Sequence, residues 1–145
     1  RKRPPDREPV LLQTWRTMIQ WLAAANPIIG GKSLGGRTAS LVADELSVAG
    51  LVCLGYPFHP PRKAATARRT AHLAELRTPT LICQGTRDPF GTAEEVADYD
   101  LSSNIQLHWL EDGDHSFRPR VSSGFSERAN WQSAIAEIAS FVNQL

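Results

Sequence analysis

Residues 27–36 read Pro-Ile-Ile-Gly-Gly-Lys-Ser-Leu-Gly-Gly, a short apolar run that ends in the motif G-x-S-x-G. The apolar run predicts a buried strand, and residues 34–46 after it predict a helix. A serine between a strand and a helix occupies a sharp turn, in which a Cβ atom at position 31 or 35 is expected to clash. The stretch therefore predicts that the hydroxyl of Ser33 stands free at the carboxyl end of a strand.

Three further apolar runs follow at residues 50–55, 79–84 and 105–110. The first two have no polar alternation, which is typical of strands buried on both faces. In the third, Ile105, Leu107 and Trp109 alternate with Gln106 and His108, which predicts an edge strand with one wetter face.

Helical patterns separate the strands. Helices are predicted over residues 10–24, 34–46, 92–97 and 126–145, with Thr92 and Ser126 as N-caps. Their tryptophans, Trp15, Trp21 and Trp131, are expected in the core. Strands that alternate with helices predict a three-layer α/β/α sandwich around a mainly parallel sheet of about four strands.

Two further polar residues follow strands in this arrangement, Asp88 after the third and His115 after the fourth. The carboxyl ends of parallel strands meet at one edge of the sheet, so Ser33, Asp88 and His115 are expected to lie close together. Each could be incidental by itself, Asp88 as a local helix cap and His115 as a loop residue. Together, in the order Ser, Asp, His, they predict a catalytic triad, with the backbone N–H of Leu34 as an oxyanion donor.

Other acids and histidines are weaker candidates. Asp112 and Asp114 compete with Asp88, but they lie in the loop that carries His115 and are expected to shape it through Asx-type hydrogen bonds. His72 and His108 are expected to be structural or solvent-facing.

A substrate pocket is predicted from three residues near these strand ends, Lys32, Tyr56 and His59. For His59, an exposed position in a proline-stiffened loop is an equal alternative. Residues 56–69 are expected to form a lid over the pocket. The basic run 62–69 within them is interpreted as a solvated loop or helix face, with an anionic partner as the alternative.

The composition is that of an ordinary globular protein: 145 residues, 41% hydrophobic, 21% charged, net charge +1. This charge balance predicts no nucleic-acid partner, and the absence of an 18-residue apolar stretch predicts no membrane partner. Residues 1–7 lack the apolar segment of a signal peptide. Cys53 and Cys83 are expected to be buried, reduced thiols, which favours a cytoplasmic location. No ligand spacing predicts a metal, and no cofactor is expected.

Four blocks, residues 28–37, 50–61, 80–91 and 112–117, resemble the α/β-hydrolases. They are similar to the small, dienelactone-hydrolase-like members, and among these to the group related to a subunit of the non-specific-lethal complex. The resemblance implies a serine hydrolase, esterase- or thioesterase-like, that cleaves a small acyl substrate through an acyl-enzyme. It assigns Ser33 as nucleophile, Asp88 as acid, His115 as base and Leu34 N–H as first oxyanion donor. The alternatives are an acyltransferase with the same triad and a non-catalytic scaffold of the same fold.

The resemblance also implies earlier strands, including a His-Gly-x-Gly-like loop that supplies the second oxyanion donor. Residues 1–26 contain no such motif. Residues 1–145 are therefore expected to form one partial domain, the C-terminal half of the fold, with the strand before Ser33 left at a sheet edge. We expect a longer parent protein or self-association through this edge, and an impaired activity of the chain alone.

Overall fold

The computed structural model describes residues 4–22, 26–61 and 67–145. The described residues form one sheet of four parallel strands in the order β1-β2-β3-β4. The strands are β1 (Ile28–Lys32), β2 (Gly50–Leu54), β3 (Thr80–Gly85) and β4 (Ile105–Leu110). All four predicted strands are confirmed to within one residue at either end.

The helices of the described residues are α1 (Glu8–Leu22), α2 (Leu34–Ser40), α3 (Ala67–Ala74), α4 (Ala93–Val96) and α5 (Glu127–Val142). A single 3-10 turn, Val121–Ser123, precedes α5. The end of the first predicted helix, at residues 23–24, lies outside the described residues. Both predicted N-caps are confirmed: the Thr92 hydroxyl accepts from the N–H of Glu95 in a capping box, and the Ser126 hydroxyl accepts from the N–H of Ala129.

Two helices differ from the prediction. Helix α2 ends at Ser40 and not at residue 46, because the Val42 N–H donates to the carbonyl of Ala39 and the chain continues in turns. It then turns into β2 through Ser47, which has a φ of 50°. Helix α3 was not predicted as a separate element, since basic and small residues interrupt the apolar spacing before Leu73.

The core has two apolar clusters, one on each face of the sheet. Because side chains alternate along a strand, Leu51 and Cys53 of β2 belong to one cluster, and Val52 and Leu54 contact the other. The first cluster lies against α1, α2 and α3, and the second packs against α5. This arrangement confirms the three-layer α/β/α prediction.

The two cysteines are confirmed as buried and free. Burial raises the pKa of the Cys53 thiol well above its ordinary value, and burial also raises the pKa of Cys83 to about 12. Both thiols therefore stay protonated at neutral pH, which suits a packing role inside the core.

Helix α1 covers the sheet only partly. Trp15 packs against the first cluster and donates from Nε1 to the Thr38 hydroxyl at 3.1 Å, which links α1 to α2. Trp21 is 76% exposed, so its predicted core position is wrong, whereas Trp131 packs against the second cluster. Trp21 lies on a different face of α1 from Trp15, because the two are six residues apart and a helix has about 3.6 residues per turn. None of the described helices is long and apolar enough to cross a bilayer.

Candidate active site

Ser33 lies in the turn between β1 and α2 with a left-handed backbone, φ 52° and ψ −120°. Its N–H donates to the carbonyl of Leu54 at 2.9 Å, and its carbonyl accepts from the N–H of Arg37 at 3.0 Å. These two bonds hold a backbone conformation that a residue with a side chain rarely adopts. The sharp strand-to-helix turn predicted from the motif is therefore present.

The glycines of this turn do not all play the predicted part. A Cβ atom on Gly31 would lie 2.6 Å from the carbonyl carbon of Gly35, so position 31 requires glycine. The prediction that Gly35 also avoids a clash is wrong, because a Cβ atom there would have nothing within 4 Å. The second glycine that avoids a clash is Gly36. A Cβ atom there would lie 2.7 Å from the Gly31 carbonyl oxygen, since this face of α2 points to the strand.

Asp88 follows β3 in a tight turn, and its side chain is completely buried. Its Oδ1 accepts from the backbone N–H of Phe90 at 2.9 Å. Its Oδ2 accepts from Nε2 of Gln84 at 3.0 Å and from Nδ1 of His115 at 2.8 Å. Three N–H donors therefore converge on the two oxygens and hold the carboxyl group in one orientation.

His115 follows β4 and lies between Asp88 and Ser33, with Nε2 at 2.9 Å from the Ser33 Oγ. The Phe90 ring contacts the imidazole at a centroid distance of 4.3 Å. On another side stands Gly55, where a Cβ atom would come within 3.2 Å of Nδ1. The structure thus brings the three predicted triad residues together and confines the imidazole between its neighbours.

The loop that carries His115 is fixed by the two other acids. The Asp114 carboxylate accepts from the N–H groups of Ser116 and Arg118 at 2.8 and 3.0 Å. The Arg120 guanidinium beside Asp112 lowers the pKa of that carboxyl to about 2. Both acids therefore shape the loop, as predicted, and neither contacts the His115 ring as Asp88 does.

Of the residues predicted to line a pocket, two are enclosed in the protein. Tyr56 is 1% exposed, in the first apolar cluster. His59 is 3% exposed, with Nδ1 at 2.9 Å from the Pro60 carbonyl and Nε2 at 3.4 Å from Glu95. The alternative of an exposed His59 is also wrong. In this structure both side chains serve packing, because the apolar cluster and helix α4 enclose them.

Lys32, the third of these residues, is exposed beside Ser33. Its ammonium donates to the His115 carbonyl at 2.7 Å and lies 5.4 Å from the centroid of the Phe117 ring. These contacts tie the end of β1 to the loop that carries His115. Of the expected lid, residues 62–66 lie outside the described residues, and residues 67–69 belong to α3.

A second polar cluster lies behind α2. Ser40 Oγ is 3.0 Å from the Tyr56 hydroxyl and 3.0 Å from Nε2 of His72. Burial, followed by the positive charge of Arg37, lowers the pKa of His72 to about 4. The cluster joins α2, the end of β2 and α3, which makes His72 structural, as predicted.

This lowered pKa predicts a pH-dependent stability. The pKa of His72 is lower in the folded chain than in the unfolded one, about 6.5, so the unfolded chain binds more protons as the pH falls. We expect the free energy of unfolding to fall by about 1 kcal/mol between pH 7 and pH 5. This value is discounted because His72 is partly exposed. Chemical denaturation of the wild type and of His72→Gln at both pH values measures it. A loss of the same size in His72→Gln would contradict the assignment, and His108→Gln is the matched control.

The site as a whole holds a hydroxyl, an imidazole and a buried carboxylate in one hydrogen-bonded series. With Asp88 as acceptor, His115 carries its proton on Nδ1 and leaves Nε2 free to accept from the Ser33 hydroxyl. Leu34 is the first residue of α2, and the first N–H groups of a helix have no partner within the helix. Among the described residues, no group of three His, Cys, Asp or Glu side chains is placed to hold a metal ion.

Comparison with known proteins identifies the family. A family model described as an alpha/beta hydrolase domain matches residues 1–143. The chain belongs to this family.

Several solved structures have the same fold as this chain. The chain is similar to a serine hydrolase homologue from Coxiella burnetii, with a TM-score of 0.69 and 19% identity over 99% of this chain. It spans 62% of that protein. A monoacylglycerol lipase from Paleococcus ferrophilus has a TM-score of 0.70 at 13% identity, over 95% of this chain and 77% of the lipase. A serine hydrolase without a lid from Xanthomonas campestris has a TM-score of 0.62 at 18% identity, and the match covers 93% of this chain and 60% of that protein.

Three residues of the site were not found from the sequence: Gln84, Phe90 and Gly55. The signal for Gln84 was an amide side chain, which has both donors and an acceptor to satisfy, in a completely buried strand. For Gly55, the signal was a glycine at the end of a buried strand. Phe90 carried no signal, because its contact with His115 joins two separate loops.

Proposed function

We propose that this alpha/beta hydrolase is a serine hydrolase that cleaves an ester or thioester of a small acyl substrate. The observation that carries the proposal is the series Ser33, His115, Asp88, joined at 2.9 and 2.8 Å. The left-handed backbone of Ser33 supports it further, because it holds the hydroxyl away from the helix backbone. The finer resemblance to dienelactone-hydrolase-like enzymes belongs to the same proposal.

In the proposed reaction, the Ser33 oxygen attacks the acyl carbon while its proton passes to Nε2 of His115. The tetrahedral intermediate collapses, and the leaving alkoxide or thiolate takes that proton, which leaves the acyl group on Ser33. Water then attacks the acyl carbon and gives its proton to His115. The second collapse releases the acid and returns the proton to Ser33. Asp88 holds the imidazole in the required tautomer and stabilises its charged form throughout.

The developing oxyanion needs donors close to the attacked carbon. We propose the N–H of Leu34 as the first, because it directly follows Ser33 at the start of α2. The resemblance assigns the second donor to a loop that residues 1–26 do not match. Lack of one donor typically costs about 10²–10³ in turnover, so slow chemistry is expected from this chain alone.

The free edge of the sheet supports a proposal about partners. In the described part of the chain, β1 pairs with β2 alone and leaves one edge open. Exposed apolar side chains lie on or near α1 and β1: Val10, Met18, Trp21, Leu22 and Ile28. Open edges and apolar faces of this kind are usually covered. We propose that they pair with further strands, from a longer parent protein or from a second copy.

The experiment that tests the proposed function is labelling of the chain by a fluorophosphonate probe, with peptide mapping of the adduct. We expect one adduct on Ser33, because its hydroxyl has an acceptor in Nε2 of His115. Ser33→Ala should lose the adduct completely. An unlabelled wild-type chain that is folded by circular dichroism would contradict the proposal for this chain.

The matched control is a second Ser–His pair on the surface. Ser133 Oγ is 2.8 Å from Nε2 of His108, and Glu137 lies 3.8 Å from Nδ1 of that histidine. Ser133 is inside α5, where backbone N–H groups are used by the helix, and it has no left-handed turn. Ser133→Ala is therefore expected to label like the wild type.

A further inference from the structure

Gln84 is the one side chain on β3 that contacts the carboxylate of Asp88. It lies next to the end of the strand and is completely buried. Its Oε1 accepts from the N–H of Tyr56 at 2.6 Å. Its Nε2 donates toward three oxygens: Asp88 Oδ2 at 3.0 Å, the Tyr56 carbonyl at 3.2 Å and the Gly91 carbonyl at 3.2 Å.

These partners define the chemistry of position 84. One atom of the side chain must accept and the other must donate, which an amide does and a carboxylate does not. The Tyr56 N–H fixes which end is the oxygen, so the NH₂ group points at Asp88 without ambiguity. A buried amide with every partner in place is rigid, because each of its bonds would be costly to leave unmade.

We propose that Gln84 is a positioning residue for the triad: it holds Asp88 Oδ2 in place and limits how strongly that oxygen attracts the His115 proton. The inference rests on the proposed function, in which Asp88 acts on Ser33 through His115. Oδ2 receives two donors, Gln84 Nε2 and His115 Nδ1. Hydrogen bonds to one charged oxygen share its negative charge, so each weakens the other.

Removal of the amide donor therefore has a predictable sign. Without it, more of the charge on Oδ2 faces Nδ1 of His115, and the charged imidazolium becomes more favourable. The pH above which Ser33 is activated should therefore rise, because only the neutral imidazole accepts a proton. The other charged groups on the packed elements stay in place: Lys32, Arg87, Asp112, Asp114 and Arg120.

The test is Gln84→Met, which keeps the length of the side chain and removes its donors and acceptor. We expect the fluorophosphonate labelling rate of Ser33 to fall about 10- to 100-fold, as for a small misplacement of a catalytic group. In a plot of the labelling rate against pH, the midpoint of the fall on the acid side (the acid limb) should move up by about 0.5–1 pH unit. A titration of the His115 ring C–H signals by NMR should move in the same direction. A folded Gln84→Met with an unchanged or lower midpoint would overturn the proposal.

The matched control is Gln106→Met. Gln106 is also a strand glutamine whose Nε2 donates to a carboxylate, that of Glu137, but it is exposed on β4 and away from the triad. We expect no shift of the acid limb and no change in the labelling rate. An equal shift in Gln106→Met would mean that the Gln84 effect is general to the sheet, and this too would overturn the proposal.

Because Gln84→Met could fail to fold, the wild type provides a second measurement. The side-chain NH₂ signals of Gln84 should change with pH at the midpoint of His115, since both groups share Oδ2. Those of Gln106 should not follow that midpoint. Gln84 signals that ignore the titration of His115 would overturn the inference without any variant.

The two proposals fail in different ways. If the wild type is not labelled but the Gln84 signals follow His115, the hydrolase proposal fails and the coupling through Asp88 stands. If Ser33 is labelled but neither the variant nor the wild-type signals show the coupling, the hydrolase proposal stands and the role of Gln84 is rejected.

Discussion

His115→Ala is expected to lower the rate of Ser33 labelling by a fluorophosphonate about 10³- to 10⁴-fold. The imidazole is the acceptor that the structure provides for the serine proton, with Nε2 at 2.9 Å from Oγ. Without it, the hydroxyl keeps its ordinary, weak nucleophilicity. Labelling rates of purified, folded variants, compared by mass spectrometry over time, measure the effect.

Asp88→Asn should give a loss of similar size for a different reason. Both Asp88 oxygens accept from donors, so an amide NH₂ in either orientation meets a donor, from Phe90 on one side or from Gln84 and His115 on the other. With the NH₂ group toward His115, the imidazole removes its own part of the conflict by moving its proton to Nε2, which then faces Ser33 as a donor and accepts nothing. The Asp88→Asn variant should therefore keep nearly the wild-type fold but lose His115 as a base for Ser33.

The surface pair again supplies the control. His108→Ala removes an imidazole that also bonds a serine hydroxyl, at 2.8 Å, but lies on β4 against α5. It should label like the wild type. If His115→Ala kept the wild-type rate, the serine would not depend on this histidine, and the proposed mechanism would be wrong.

Much of this site could be predicted from the sequence because its three residues stand at strand ends. Parallel strands bring their carboxyl ends to one edge of the sheet. Correct strand boundaries were therefore enough to predict that Ser33, Asp88 and His115 lie close together. The apolar runs marked those boundaries to within one residue, since strands in a parallel sheet are mostly buried on both faces and are therefore predominantly apolar. The distances of His115 from Asp88 (2.8 Å) and from Ser33 (2.9 Å) depend on the loops after the strands. The positions of the strands do not determine the conformations of these loops.

What could not be predicted depends on contacts between distant segments. Tyr56 and His59 follow β2 and thus resemble pocket residues in sequence, yet their loop folds inward and both are buried. Met18 and Leu22 share the apolar stripe of α1 with Trp15, yet they are 45% and 55% exposed, because helical spacing does not predict what covers a face. Gln84 bonds Tyr56 and Asp88 at once, and its role follows from that three-way contact.

The two glycines of the motif illustrate the same limit, and substitutions at them should have opposite effects on stability. Gly31→Ala is expected to lower the free energy of unfolding by about 3 kcal/mol or more, because a backbone carbon of Gly35 lies 2.6 Å from the new Cβ atom. Backbone cannot swing aside like the end of a flexible side chain, so β1 and α2 must separate. The same separation moves Ser33 away from His115, and labelling should be lost with the stability.

Gly35→Ala is the matched substitution in the same motif. A Cβ atom there meets nothing within 4 Å, and position 35 lies inside α2, where alanine favours the helix by up to about 1 kcal/mol over glycine. Unfolding in denaturant should therefore show Gly35→Ala at least as stable as the wild type and Gly31→Ala far less stable. Equal losses in both variants would mean that the turn is crowded symmetrically, as the motif alone suggests, and that the packing of α2 on β1 described above is incorrect. The sign of the Gly35→Ala effect is the sharper part of the test, because only an open position allows a gain.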